Sequence, residues 1–194
     1  MVPAAGKLDG VSAPFPGLTT VPAVDHPELL AAPVVAALEW WKPPAPVLVA
    51  EIDPDLADTA AFCAAYDVPA AASANCVVVT GKRDGEQRWA AALVLATTRA
   101  DVNGVIRRRV DVRKISFAPM AEAVERTGME YGGITPIGLP VGWPVLIDAA
   151  VVAAGPVVIG SGLRRSKVVV DGAALAGLPG AEVIDGLAVP VPAT

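Results

Sequence analysis

The sequence predicts an α+β domain: a mixed, barrel-like β-sheet surrounded by helices. Three observations lead there. Short, Val-rich runs of strand length recur from residue 46 onward. Asp84-Gly85 between two of them is a hairpin signal. Short capped helices separate others without regular βαβ alternation, unlike a doubly wound parallel sheet. No internal repeat is visible. A chain of 194 residues suits one domain, which buries about 70% of its unfolded surface.

The elements follow in order. Nine of the 19 prolines precede residue 47, so residues 1–33 read as an irregular Pro/Gly-rich arm and 34–194 as a single domain. Asp25, His26, Pro27 and Glu28 open a helical segment that Pro33 breaks or restarts and Pro43-Pro44 stops after Trp40 and Trp41. Val47 to Ile52 is a strand, and Asp58 or Thr59 caps a small-faced helix through Tyr66. Asn75 to Thr80 and Gln87 to Ala96 are the two hairpin strands. Asp101 caps a helix through Arg109 that Gly104 weakens by about 1 kcal/mol relative to Ala. Ile115 to Ala118 is a strand, and Pro119 begins a helix ended by Gly128. Strands at Val145–Asp148, Val157–Gly160, Lys167–Val170 and Glu182–Ile184 close the chain, with a brief helix capped by Asp171.

Composition removes several classes of function. Hydrophobic residues at 54% and charged residues at 18% exclude polarity-driven disorder. Fifteen Lys and Arg against 20 Asp and Glu give a net charge of −5, which argues against broad adhesion to nucleic acid or anionic membrane. Pro3, Gly6, Asp9 and Gly10 interrupt any signal peptide, and no apolar run spans a bilayer. The cytoplasm is the expected compartment. Cys63 and Cys76 have no metal-ligand spacing; reduced, buried thiols are preferred over a disulfide. One histidine, His26, leaves little material for a zinc site or a catalytic triad, and no metal or organic cofactor is expected.

Chemistry concentrates in two glycine loops and two basic clusters. Tyr131 to Leu139-Pro140 holds three glycines and two prolines in ten residues, which makes neither helix nor central strand. Its backbone amides could hold a carbonyl or a developing oxyanion, or the stretch is a crossover loop. Gly160-Ser161-Gly162 follows an apolar strand but lacks the third glycine of a dinucleotide fingerprint. Arg107, Arg108, Arg109, Arg113 and Lys114 form one cluster and Arg164, Arg165 and Lys167 another. They are either a solvated face or a phosphate site, which would fit a nucleic-acid end better than a long duplex. Carboxylates give no clear acid-base pair, since Asp53, Asp58, Asp101 and Asp171 are explained as caps or turns and Asp148 as structural. The four tryptophans, Trp40, Trp41, Trp89 and Trp143, read as packing residues.

The order of the pieces resembles the YbaK/EbsC family, related to the editing domain inserted in bacterial prolyl-tRNA synthetases. The resemblance rests on Asp58-Thr59-Ala60-Ala61, Asp67-Val68-Pro69, Asn75 to Val79, Ala100 to Asn103, Ile115 to Pro119 and Thr127-Gly128. It continues through Gly132 to Gly138, Val145 to Asp148 and Ile159 to Gly162, covering roughly residues 34 to 186. It implies a barrel-like fold and hydrolysis of the ester between a wrong amino acid and the 3′ end of its tRNA. Gly132 to Pro136 would be the family's Gly-x-x-x-Pro pocket loop, with a positioned water attacking and loop amides holding the oxyanion. Where many members carry a lysine that contacts the terminal nucleotide or the ester, this chain has Asn75. Either Lys114 or an arginine supplies the charge, or the pocket binds without catalysis; Asn75 could also be a turn residue.

The expected site follows from this. Asn75, Gly132, Gly133 and Thr135 would be catalytic, with Ile134, Pro136, Gly138, Gly160, Ser161, Gly162 and Lys114 binding the substrate. Arg107, Arg108, Arg109, Arg164 and Arg165 would bind tRNA. The partner would be an aminoacylated tRNA acceptor end, with weak association to a synthetase and none to membrane. Since 194 residues leave no room for a synthetase catalytic domain, a free-standing proofreading deacylase acting in trans is expected. The alternatives are a non-catalytic binder of an aminoacyl-tRNA end, nucleotide or amino-acid-like ligand, and a structural partner that docks through its N-terminal arm.

Overall fold

The computed structural model describes residues 14–191; expectations for residues 1–13 and 192–194 fall outside it. The chain runs β1 (Val21–Pro22), α1 (Ala32–Trp40), β2 (Leu48–Glu51), α2 (Thr59–Ala65), β3 (Ala74–Arg83), β4 (Glu86–Leu95) and β5 (Thr98–Ala100). A π-helical turn, Val102–Ile106, leads into α3 (Arg107–Val110), β6 (Lys114–Phe117) and α4 (Met120–Thr127). Then come β7 (Val145–Asp148), α5 (Ala149–Ala153), β8 (Pro156–Gly160), β9 (Ser166–Asp171), α6 (Gly172–Leu175), β10 (Ala181–Ile184) and β11 (Ala188–Pro190).

The strands form a four-stranded sheet, β1-β2-β9-β8, a five-stranded sheet, β10-β7-β4-β3-β6, and a small β11-β5 pair. β7 lies parallel to both β4 and β10, and the other pairs are antiparallel. The mixed α+β sheet is as expected, but the sheets do not close into a barrel. Instead a single-residue bridge, Ser73 to Val158, touches the large sheets together.

Strand alternation sorts the side chains. Val47 and Val49 face the central core with Leu93, Ile147, Ile159 and Val168. Leu48, Ala50 and Ile52 face the opposite way, onto Phe62 of α2 and onto Phe15 and Leu18. The same division places Ala90, Ala92 and Val94 of β4 against Ile106 and Val110. Both faces of the inner strands are therefore covered, which is why they read as near-continuous apolar runs. Residues 14–33 contribute directly, since Leu29, Leu30 and Ala31 enter the central core.

Local signals act as the sequence predicts at several turns. Asp84 and Gly85 both take positive φ, 52° and 86°, the geometry of a tight hairpin. Gly128 ends α4 in the left-handed region. Pro33 sits in the first turn of α1 rather than breaking it. Asp101 caps its helix through bonds to the Gly104 and Val105 amides at 3.0 and 2.9 Å. A Cβ at Gly104 would lie 2.0 Å from the Asp101 carboxylate, so glycine is what lets the carboxylate reach. Trp89 and Trp143 stack at 5.2 Å and Trp41 is buried, but Trp40 is exposed. Both cysteines are free thiols. No helix among the described residues is long and apolar enough to cross a membrane.

Candidate functional site

A cleft opens where the two large sheets part. Ser73 bridges to β8, and β6 first pairs with β3 at Val79. Between those points the edge of β3 faces no strand. Backbone polar groups alternate sides along a strand, and Val78 uses this edge to accept the Ala118 amide at 2.9 Å. The Cys76 amide and carbonyl therefore point the same way, into the gap. The cleft holds about 400 Å³, walled by β3, β8, the turn into α2 and the loop after α4.

The two glycine loops are stitched together to make one wall. The Gly162 amide donates to the Gly133 carbonyl at 2.8 Å, and the Glu130 amide donates to the Gly162 carbonyl at 2.8 Å. Glu130 also accepts the Arg164 amide through its side chain at 2.6 Å. Gly160 lies flat against this wall, since a Cβ there would stand 2.2 Å from the Gly133 carbonyl oxygen. Gly132 takes φ of +85° with the Arg164 guanidinium directly against it.

Polar side chains gather on the turn into α2. Thr59 donates its hydroxyl to the Asn75 side-chain oxygen at 2.6 Å. Lys167 of β9 reaches in from the other sheet, only 8% exposed, and donates to the Ala57 carbonyl at 2.9 Å. Its ammonium lies 5.4 Å from the Phe62 ring centre. Burial chiefly, and the Arg164 charge next, push the Lys167 pKa below its ordinary value, while Asp58 and Cys63 pull it back up. Burial pushes the Cys76 thiol up to about 12, so it stays protonated and is a poor nucleophile.

Asn75, Gly132, Ile134 and Gly160 line this cleft together. Gly133, Pro136, Ser161 and Gly162 are buried behind them, and Gly138 is half-buried against Pro33. Thr135 is fully buried and its hydroxyl has no hydrogen-bond partner among the described residues, so its side chain does not reach the cleft surface. Ser161 is tied to Ser166 at 2.7 Å. Lys114 is exposed on β6 opposite Lys82 and lines no part of the cleft.

The arginines are held on different elements. Arg164 braces the cleft rim through the Pro54 carbonyl at 3.1 Å. Arg165 is held by the Glu28 carbonyl and Arg109 by the Glu182 carboxylate on β10. Arg107 donates to the Asn103 carbonyl at 2.9 Å, and Arg108 is exposed.

Lys167 lines the cleft, a place the sequence alone does not assign to it. The sequence groups it with Arg164 and Arg165 as a solvated face or a phosphate site, yet it sits inside β9 between the buried Ser166 and Val168. A lone cation within an apolar strand is the signal that could have found it.

Fold and cleft together define an α+β domain with a glycine-loop pocket, able to present backbone amides and a buried cation to a small carbonyl-bearing ligand. The aminoacyl-tRNA editing domain matches residues 53–178, and the chain belongs to that family. A crystal structure of a proposed trans-editing enzyme for prolyl tRNA synthetase is similar at 24% identity, covering 71% of this chain and 83% of its own, with a TM-score of 0.61. A scaffold protein from computational grafting of linear epitopes is 23% identical over 80% of this chain and 95% of its own, with a TM-score of 0.65. The hypothetical protein APE2540 is 19% identical over 73% and 90%, with a TM-score of 0.63. At these identities the likeness is one of fold. No curated protein matches the sequence.

Proposed function

We propose that the protein is an aminoacyl-tRNA deacylase, acting in trans on mischarged tRNA. One observation carries the reading: in a chain of the editing-domain family, the free edge of β3, the glycine loop and Lys167 converge on a single cleft. Its 400 Å³ suits an amino acid and its ester better than a large cofactor. The similarity to a proposed trans-editing enzyme supports the same class of substrate.

The chemistry is hydrolysis by a positioned water. The water oxygen attacks the ester carbonyl carbon, and the carbonyl oxygen takes up the electron pair. Amides facing the cleft and the Lys167 charge stabilise that oxyanion. Collapse expels the ribose oxygen, which takes up the proton that the attacking water gives up, leaving a free amino acid and an uncharged tRNA 3′ end. A water nucleophile is consistent with a cleft whose thiol stays protonated and with His26 held outside by Glu28 at 2.9 Å. Weak association with a synthetase, which would deliver the mischarged tRNA, belongs to the same proposal.

A second reading is favoured by one observation. Asn75 brings an amide, not a charge, and its oxygen is already bound to Thr59. On that ground the cleft would hold an aminoacyl-tRNA end without cleaving it. A deacylation screen over a panel of mischarged tRNAs separates the two. The deacylase hydrolyses at least one of them well above the buffer rate. Tight tRNA binding with hydrolysis at the buffer rate throughout supports the binder instead.

A further inference from the structure

A second cleft adjoins the first and shares a wall with it. Asn75, Val77 and Phe117 line both. The second, of about 490 Å³, runs along Thr98 to Asn103. Phe117 is the last residue of the edge strand β6 and is 61% exposed. Its face of the strand is shared by Ile115, which packs on the core beneath the Val102–Val110 helix, but Phe117 lies beyond that cover. An aromatic ring left largely in water on the ridge between two clefts forgoes much of the gain from burial. Packing does not account for it.

The second cleft is lined by apolar and polar side chains together, with Arg99 as its cation and Asp101 as its acid. Arg99 is exposed within it. Arg107 is outside the lining and donates to the Asn103 carbonyl. The one acid there, Asp101, is occupied by the Gly104 and Val105 amides, so its charge is directed into the helix rather than toward a ligand.

We propose that the second cleft binds the single-stranded nucleotides next to the aminoacylated one, with Phe117 as their stacking platform. This rests on the deacylase or binder reading of the first cleft and extends it. A chain threaded from the first cleft must cross Phe117, because the ring stands on the common wall. A base stacks on an aromatic face whatever its identity, and the phosphate that follows meets Arg99. Contact over two or three nucleotides fits a protein of net charge −5, where a wide phosphate grip would be opposed.

The test uses the full chain and two probes, the trinucleotide 5′-CCA-3′ and adenosine monophosphate, with binding followed by calorimetry. The trinucleotide binds more tightly than the mononucleotide. Phe117→Leu, which keeps apolar bulk but loses the aromatic face, weakens the trinucleotide at least about fivefold, and Phe117→Trp retains it. Arg99→Gln flattens the salt dependence of trinucleotide binding by about 0.7 of a log unit per log unit of salt. Equal affinity for the two probes, or no change on Phe117→Leu, overturns the proposal. These readouts involve no hydrolysis, so a protein that binds the trinucleotide through Phe117 but deacylates nothing keeps this subsite and loses only the deacylase reading.

Discussion

Thr59, the first residue of α2, holds the side chain of Asn75 on the neighbouring strand by a 2.6 Å hydrogen bond to its oxygen. With the oxygen taken, the NH2 group is the end of Asn75 left to donate into the cleft. Asn75→Ala removes both roles. It should cost about 1 kcal/mol of stability and lower deacylation or tRNA-end affinity several-fold. Thr59→Val should cost similar stability with a smaller functional loss, because the amide still reaches the cleft. Denaturant unfolding with turnover on the best mischarged tRNA checks both, and equal functional losses would mean that Asn75 only anchors the helix.

Asn75→Lys has its sign set by Lys167. Asn75 and Lys167 are tied to the same short segment, one through Thr59 and the other through the Ala57 carbonyl. A lysine at position 75 loses the Thr59 bond and meets like charge in a half-enclosed cleft. The variant should melt lower than the wild type and show no gain in turnover. A several-fold gain, the scale of one charge-assisted hydrogen bond, would show that the cleft lacks a cation where the substrate needs one.

Much of this was legible in the sequence because it is written locally. The Asp84-Gly85 hairpin, the Gly128 stop and the cap of Asp171 on the Ala173 amide each depend on residues close in the chain. The union of the two glycine loops came through the family resemblance, since nothing local pairs Gly133 with Gly162. Helix α5 is not expected from the sequence because Ala149–Ala153 is a uniformly apolar run without helical periodicity, and the Asp148 cap on the Ala150 amide is its one local signal. The short strands β5 and β11 have no burial pattern of their own and exist through pairing with each other. Lys167 was hidden for a similar reason. Two arginines, Arg164 and Arg165, stand just before it in sequence, whereas its neighbours in space are Ala57 and Phe62.

Lys167→Met should separate stability from function. Its pKa in the fold lies below the ordinary 10.5, so between those two values the unfolded chain binds more protons. Stability attributable to this group therefore rises with pH across that window, and below the folded value the buried ammonium is a standing cost. Methionine keeps the length and removes the charge, so the variant should melt at or above the wild-type temperature near pH 7. The variant-minus-wild-type difference should shrink toward high pH. Cys63 and Cys76, both raised by burial, tilt stability the other way above their ordinary value. Cys76 is common to both proteins and cancels, whereas Cys63 loses the Lys167 charge that holds it down, so its thiol rises further in the variant and shrinks the difference in the same direction. Turnover should fall strongly if Lys167 stabilises the oxyanion, and unchanged turnover would exclude it from the chemistry.

Gly160→Ala tests the wall itself. The added methyl would stand 2.2 Å from the Gly133 carbonyl oxygen and 2.6 Å from that of Ile134. Both are backbone atoms of a loop fixed by the Gly162–Gly133 hydrogen bond, so neither can swing aside as a side chain would. The loop must move away from β8, widening the cleft and shifting whatever its amides bind. Overpacking of this kind costs about 1–3 kcal/mol, or roughly 2–12 °C in Tm for a chain of this size, and turnover should fall with it. Gly142→Ala is the matched control. It has φ of +86° with nothing within 4 Å of the added carbon, so it suffers left-handed strain alone, about 1 kcal/mol. Turnover at a temperature where both variants remain folded decides the matter. Loss in Gly160→Ala with retention in Gly142→Ala places the function on the stitched glycine wall. Full turnover in both would show that the wall supports the fold but takes no part in holding the substrate.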